Sequence, residues 1–313
     1  MNIQKQNKIK DNSRIIEIKK DFVVNKSLYL LLLPVIAYYI IFAYFPLYGA
    51  LIAFKNYTPG LGMKSEWCGF KHFTAFFTSP SFGILMRNTL RISLSTLVVT
   101  FPAPIILALL FNELKSVRFS KIIQNVSYLP HFISLVVVCG IIKDFTSDSG
   151  IVTSFLSIFG VPKVSLLNYP KYFVPVYVAS EVWKGAGWGS IIYLAALTGI
   201  DSSLYEAATI DGAGRFKQLI HVTLPGISAT IIMMLIIRIG NILSVGYEKL
   251  ILLYNDATLE VADVISTYVY RKGLLEQNWS FSTAVGLFNS AVNLILVFGA
   301  NFISKKVNDY GLW

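Results

Sequence analysis

A chain of 313 residues that is 55% hydrophobic and only 14% charged carries more apolar surface than one soluble core of that size can enclose. Its mean hydropathy of +0.61 places it in a bilayer. The net charge of +10 lies in tails and loops and not on one soluble face, so membrane topology accounts for it and nucleic acid is set aside as a partner.

Crossing about 30 Å of hydrocarbon takes roughly 20 apolar residues in a helix. Six runs meet that length, at 28–53, 88–111, 125–143, 172–198, 226–247 and 281–303. The chain is therefore predicted to be all-α and polytopic, with six transmembrane helices. Residues 1–27 form a basic tail with Lys5, Lys8, Lys10, Arg14, Lys19, Lys20 and Lys26. That basic region and the apolar run behind it are both too long for a cleavable signal peptide, so the first span reads as a retained anchor.

Basic residues near a span resist translocation. With the N-terminus inside, the inner pieces (1–27, 112–124, 199–224 and 304–313) hold 14 Lys and Arg in 76 residues, against 9 in 95 for the outer loops. Both termini are expected in the cytoplasm of a multi-pass protein of a bacterial plasma membrane. Residues 54–87, with Pro59, Gly60, Trp67, Phe73, Phe76 and Phe77, read as an outer interfacial segment, because aromatic rings favour headgroup depth. The remaining five spans make a helical core over 88–303, followed by a short tail at 304–313. The outer loop from Asp144 to Lys171 has an apolar middle suited to a short re-entrant or interfacial helix. Cys68 and Cys139 fall at different depths, so no bridge is expected, and no cluster has metal-ligand spacing.

The inner loop at 199–225 is the most informative stretch. Ser203 precedes Glu206 by three residues, the spacing of a capping box, which predicts a helix over Leu204 to Ile210. Gly212 supplies the positive φ that ends it, and a second short helix over Gly214 to Val222 is expected to stop at Pro225. Ala207 and Ala208 leave a small-residue face where another backbone can approach, while Leu204, Tyr205, Phe216 and Leu219 offer apolar anchors. Joining two spans requires no such elbow.

Glu206, Ala207, Ala208, Asp211, Gly212, Ala213, Phe216, Leu224 and Pro225 together resemble the cytoplasmic EAA signature of permease subunits of binding-protein-dependent ABC importers, with Val222 where Ile is usual. Trp183-Lys184-Gly185, the run Ile192 to Leu197 and the stretch Asp263 to Arg271 resemble the carbohydrate-uptake branch, in particular Gram-positive oligosaccharide and polysaccharide permeases. The resemblance implies a type I importer permease fold. It implies that Glu206, Ala207, Ala208, Asp211, Gly212, Ala213, Arg215 and Phe216 form a coupling helix and turn that dock on an ATPase. It also implies a heterodimer with a second, related permease, a dimeric ATPase that holds ATP and Mg, and an extracellular lipid-anchored solute-binding protein. No G-x-x-x-x-G-K-[ST] phosphate loop occurs in this chain, so the expected cofactors lie on the ATPase and none on this chain.

Charges inside a membrane cost about 2.5–3.5 kcal/mol each on insertion scales and face a cavity or a partner. Glu181 and Lys184 stand three apart on one helical face and are placed to pair, with Trp183 beside them as a stacking surface for a sugar. Arg238, Asn241 and Glu248 fall near one stripe with Tyr247 at its outer end, and Asn289 and Asn293 share a face with Gly286 and Ser290. These nine polar and aromatic residues are the substrate-pathway candidates. The competing reading is that the Asn residues bond across helices to hold the bundle and that Arg238 pairs with Glu181. His72, His131 and His221 lack a nucleophile or carboxylate pattern, so no catalytic residue is assigned.

The function read from the sequence is a permease subunit forming half of an oligosaccharide pathway. The same architecture with an amino acid, peptide or anion as cargo is one alternative. A membrane-embedded glycosyl transferase is another, but its one candidate acidic pair, Asp144 and Asp148, sits in a loop rich in turn residues; an ion-driven secondary transporter is a third, and it has no use for the elbow.

Overall fold

The computed structural model describes residues 21, 24–308, 311 and 312. Every regular element among the described residues is a helix, and the only β pairing among them is one isolated antiparallel bridge between Lys55 and Trp67. The basic tail therefore lies almost wholly outside them, as does the end of the C-terminal tail.

Helix α1 (Lys26–Phe54) is 29 residues long, and the apolar window within it has none of its residues buried. Leu31, Phe42 and Phe45 are among its exposed side chains, as suits contact with lipid tails. It widens to a π-turn at Ile40–Tyr44 just before Pro46. Proline cannot donate to the carbonyl four residues back and its ring crowds that carbonyl, and a wider turn relieves both. The segment that follows holds a stack of Phe54 on Trp67 at 5.5 Å and the short helix α2 (Lys71–Phe77). Both the end of α1 and α2 pack on the last helix.

Helix α3 (Ser81–Asn112) is apolar and long enough to cross. The expected third span is instead two helices, α4 (Val117–Phe132) and α5 (Leu135–Phe145), meeting at 103°. Pro130 ends the first, and the Ser134 hydroxyl caps the second by accepting from the Val137 N–H at 3.4 Å. Helix α6 (Ile151–Ser157) lies in the loop where a short interfacial helix was expected.

Helix α7 (Pro170–Thr198) occupies the centre, packed on both halves of α3 and on α4. By length and apolarity alone, the described residues offer three spans, or five if each bent pair counts as one. The span expected over 172–198 corresponds to α7, which is not among them. Its 29 residues are long enough, but Glu181, Lys184 and the glycines at 185, 187 and 189 dilute its hydropathy.

The main core joins Phe173, Val174 and Tyr177 of α7 to Val138 and Ile142 of α5 and to Leu250 and Leu253. A second cluster brings Phe76 and Leu85 against Tyr268, Phe281 and Val285. A third brings Ile105 and Ala108 against Tyr193, Leu197 and Ile227.

Candidate functional site: an exposed elbow and a broken span

The elbow comprises α8 (Ser202–Ile210) and α9 (Arg215–Gly226). Its cap differs from the expected one. Asp201, not Ser203, is the N-cap, its carboxylate accepting from the Ser203 N–H at 2.9 Å, so α8 starts two residues early and the Ser203–Glu206 capping box does not form. That contact, with help from the Ser203 side chain, holds the Asp201 carboxyl below its ordinary pKa. At the other end Gly212 has φ of +76°, with Ala213 N–H donating to Ala208 C=O and Gly212 N–H to Thr209 C=O. That is a Schellman closure, and glycine is the residue that adopts it without Cβ strain.

Helix α9 also departs from expectation. Pro225 does not stop it, because the turn opens to a π form at Leu219–Thr223 and carries the helix through to Gly226. The chain then bends by 60° into α10 (Ser228–Ile239). Gln218 Nε2 donates to Thr209 Oγ1 at 2.9 Å and to Ala213 C=O at 3.1 Å, fastening α9 to α8. Tyr205 and Thr223 share a hydroxyl contact of 3.0 Å. Glu206, Ala207, Asp211, Gly212, Arg215 and Phe216 are exposed on the elbow, and Ala208 and Ala213 are half-buried. Arg215 also reaches Glu113 at the end of α3, 3.4 Å away.

The expected fifth span is broken. After α10 the chain turns through Gly240 to Gly246 before α11 (Tyr247–Leu253) begins. Gly240 lies so close to the last helix that a Cβ there would meet the Val297 side chain. The last helix, α14 (Trp279–Asn308), fastens the break: Asn293 accepts from the Leu243 N–H at 3.2 Å and donates to Ser244 Oγ at 2.9 Å. Ser266, in α13 (Ile265–Tyr270), donates to Val245 C=O at 2.6 Å. Between these, α12 (Leu259–Ala262) and the start of α13 are tied to α3, through Asn88 donating to Glu260 and Asp263 carbonyls and Thr89 accepting from the Ile265 N–H.

The break rearranges the intramembrane candidates. Glu181 pairs neither with Lys184 nor with Arg238, but with Lys249 at 2.6 Å. The Lys249 side chain is 4% exposed and also sits over the Tyr177 ring, 4.9 Å from its centroid. Sequence reasoning missed Lys249. The available signal was a cation immediately before the apolar run Leu250 to Leu253, but pairing it required knowing that α11 folds back on α7. The Arg238–Asn241–Glu248 stripe also dissolves, since it assumed one continuous helix.

A polar cavity of about 180 Å³ lies between α3, α7 and the break, lined by Ser93, Thr96, Tyr177, Glu181, Arg238, Asn241 and Ser244 among others. Tyr247 and Asn289 line a second cavity, of about 430 Å³, where Tyr247 stacks on Tyr270 at 5.3 Å. Trp183 faces elsewhere, onto an apolar cavity of about 330 Å³ with Ile141, Phe145 and Val176. Glu248 is exposed, Lys184 is half-buried, and neither lines these cavities. Asn293 and Asn289, one turn apart, are thus divided: the first braces the break, while the Oδ1 of the second is buried without a partner among the described residues. His131 stacks on Trp188 at 4.7 Å. Cys68 and Cys139 are both free thiols, and no group of described His, Cys, Asp or Glu residues could hold a metal.

A bent, multi-helix bundle with a solvent-facing elbow narrows the comparison to membrane transport components. Residues 94–309 match the family described as binding-protein-dependent transport system inner membrane component. The chain belongs to that family. The permease is 47% identical to Protein LplB of Bacillus subtilis (strain 168) over 291 residues, 92% of each chain. It is 45% identical to the polygalacturonan/rhamnogalacturonan transport system permease protein YteP of the same organism, covering 92% of this chain and 90% of that one. Among solved structures, one chain of a bacterial alginate ABC transporter, in complex with an alginate pentasaccharide-bound periplasmic protein, superposes with a TM-score of 0.85 at 44% identity. The match covers 94% of this permease and 99% of that chain. The molecule is therefore an importer subunit of the inner membrane and not an enzyme.

Proposed function

We propose that this permease forms half of an oligosaccharide pathway in an ATP-driven importer and takes its mechanical input at the elbow. The carbohydrate cargo is supported by relatives named for polygalacturonan and rhamnogalacturonan and by the alginate importer. In this reading a second, related permease supplies the other half, a dimeric ATPase binds ATP and Mg, and a lipid-anchored binding protein delivers the sugar outside. Both termini and the 199–225 loop lie in the cytoplasm, and 54–87 lies at the outer surface.

The observation that carries the proposal is the elbow itself. Glu206 and Phe216, on α8 and α9, are exposed on a scaffold fastened by Gln218, the Tyr205–Thr223 contact and the Gly212 turn. An exposed Phe at 72% is poorly placed for water and well placed for a protein cleft. Glu206 supplies the charged contact, and stiffness lets a push on α8 move α9 and the bent α10 together.

The test is uptake by the complete importer in liposomes carrying Glu206→Ala or Gly212→Pro. Both variants should lower uptake at least tenfold while the partner permease still co-purifies, and ATP hydrolysis should no longer respond to loaded binding protein. Normal uptake in either variant, or transport by this chain alone, would end the proposal.

A further inference from the structure

The stretch from Asp263 to Arg271 takes no part in the elbow and is built as a stiff wedge. Within it, the Thr267 hydroxyl donates to Asp263 Oδ1 at 2.7 Å and accepts from the Val264 N–H at 2.9 Å, and Arg271 pairs with Asp263 at 2.6 Å. Asn88 and Thr89 of α3, both buried, hold the Asp263 carbonyl and the Ile265 N–H. Tyr270 stacks on Tyr247 at the head of α11, and α11 is fixed to α7 by the Glu181–Lys249 pair. The wedge, α11 and the adjoining parts of α3 and α7 therefore make one outer body.

The elbow and α10 make an inner body that ends at Ile239. Residues 240–246 join the two without a continuous helix to carry force across. Asn293 holds Leu243 and Ser244 to α14, against which Gly240 is pressed. The outer body grips the same segment through one side-chain hydrogen bond among the described residues, from the Ser266 hydroxyl to Val245 C=O at 2.6 Å. Next to that bond there is room to move, since nothing lies within 4 Å of where a Cβ on Gly246 would stand. The polar cavity takes its walls from both bodies, with Arg238 and Asn241 on the inner one and Tyr177 and Glu181 on the outer one. A change of angle at 240–246 therefore reshapes the cavity.

We propose that 240–246 is the flexure that absorbs the movement of the elbow and α10, and that Ser266 is a positioning residue that latches it in the resting importer. Release of the latch lets α10 turn against the outer body. This rests on the coupling role proposed above for the elbow and adds where its motion is received. One net hydrogen bond biases an equilibrium by about three- to tenfold, enough to favour a resting state and small enough for nucleotide binding to overcome.

The test uses the complete importer in liposomes, with partner permease, ATPase and binding protein. Two quantities are read: ATP hydrolysis without loaded binding protein, and sugar imported per ATP. Ser266→Val and Ser266→Thr share one shape and differ in the hydroxyl. The Val variant should raise unstimulated hydrolysis about three- to tenfold and lower sugar imported per ATP, while the Thr variant stays close to native. Asn293→Ala should leave both quantities unchanged per assembled complex, as a brace does. Gly246→Pro probes the flexure from the other side. Gly246 has φ of −61°, within proline's own range, so the ring fits the described conformation and stiffens the joint. That variant should assemble normally, with uptake clearly lowered and unstimulated hydrolysis no higher than native.

Native values of both quantities in Ser266→Val, or equal losses in the Val and Thr variants, overturn the latch. A lower thermal midpoint in Ser266→Val with sugar per ATP unchanged assigns Ser266 to packing alone and overturns it too. Native uptake in Gly246→Pro overturns the flexure. Glu206→Ala in the same liposomes separates these failures from a failure of the elbow reading. If it still abolishes the response to loaded binding protein, that reading stands whatever Ser266 does; if it does not, both fall.

Discussion

The elbow at 201–226 and the break at 240–246 both interrupt helices, but they are held in opposite ways. The elbow is fastened from within: Gln218 to Thr209 and Ala213, Tyr205 to Thr223, Ala213 to Ala208. Its one ion pair to a distant residue among the described residues, Arg215 with Glu113, is exposed on both sides at 3.4 Å and contributes about 0–1 kcal/mol. The break is fastened from outside, by Asn293, Ser266 and the Glu181–Lys249 pair, which stand 50, 21 and 68 positions from their partners. One shape is a property of a short peptide, and the other is a property of the whole bundle.

The sharpest way to break that contrast is to remove one side of the buried pair. Glu181→Gln leaves the Lys249 ammonium without its counter-charge and should cost about 3 kcal/mol, read as a lower thermal midpoint of the purified complex. The double change Glu181→Gln with Lys249→Met should cost clearly less than the single one, because no bare charge remains. A double variant at least as damaged as the single would show that the pair does not fasten α11 to α7.

Asn293→Ala should come next, at about 2 kcal/mol, since it strips the Leu243 N–H and Ser244 hydroxyl of their partner. The assembled fraction should fall while transport per assembled complex holds. Asn289→Ala, one turn away, should do the reverse, because its Oδ1 has no described partner to lose and its side chain lines a cavity. Matching phenotypes for the two would erase the distinction drawn between brace and lining.

Changes inside the elbow should be milder and local. Gly212→Ala places a Cβ at φ of +76° and should cost about 1–2 kcal/mol, with Asn tolerated better than Ala, as seen by hydrogen exchange confined to 202–226. Asp201→Ala should fray only the first turn of α8, whereas Ser203→Ala should not remove the cap. The pH dependence has a definite sign. The Asp201 carboxyl is held below its ordinary value, so its cap is fully present above the usual carboxylate range. It is lost as pH falls through the lowered value. A loss of α8 protection, taken relative to the intrinsic exchange rate at each pH, on alkaline titration through neutrality would contradict this.

The same contrast explains what could be read from the sequence. Apolar runs announced most of the spans, and Gly212 announced its own turn, because burial and positive φ are local demands. The cap was misplaced because the Ser203–Glu206 spacing points to Ser203, whereas the Asp201 carboxylate caps a helix in which Ser203 is already the second residue. The 103° bend carried a visible warning in Pro130 and Ser134 that the apolar run obscured. The break had less to show: Ile242, Leu243 and Val245 keep the run apolar, and its hydrogen-bond partners lie on other helices. Hence Lys249 was missed, and the stripe through Arg238 and Glu248 was drawn on a helix that ends at Ile239.

Because the elbow keeps its own geometry, it is a transplantable part. On the proposed coupling role, residues 199–226 should be exchangeable as one block between related importers, re-matching the permease to a different motor with nothing altered in the bilayer. The break admits no such exchange, since a graft there must bring along matching positions on three other helices, and evolution is left freer to change the engine than the bore.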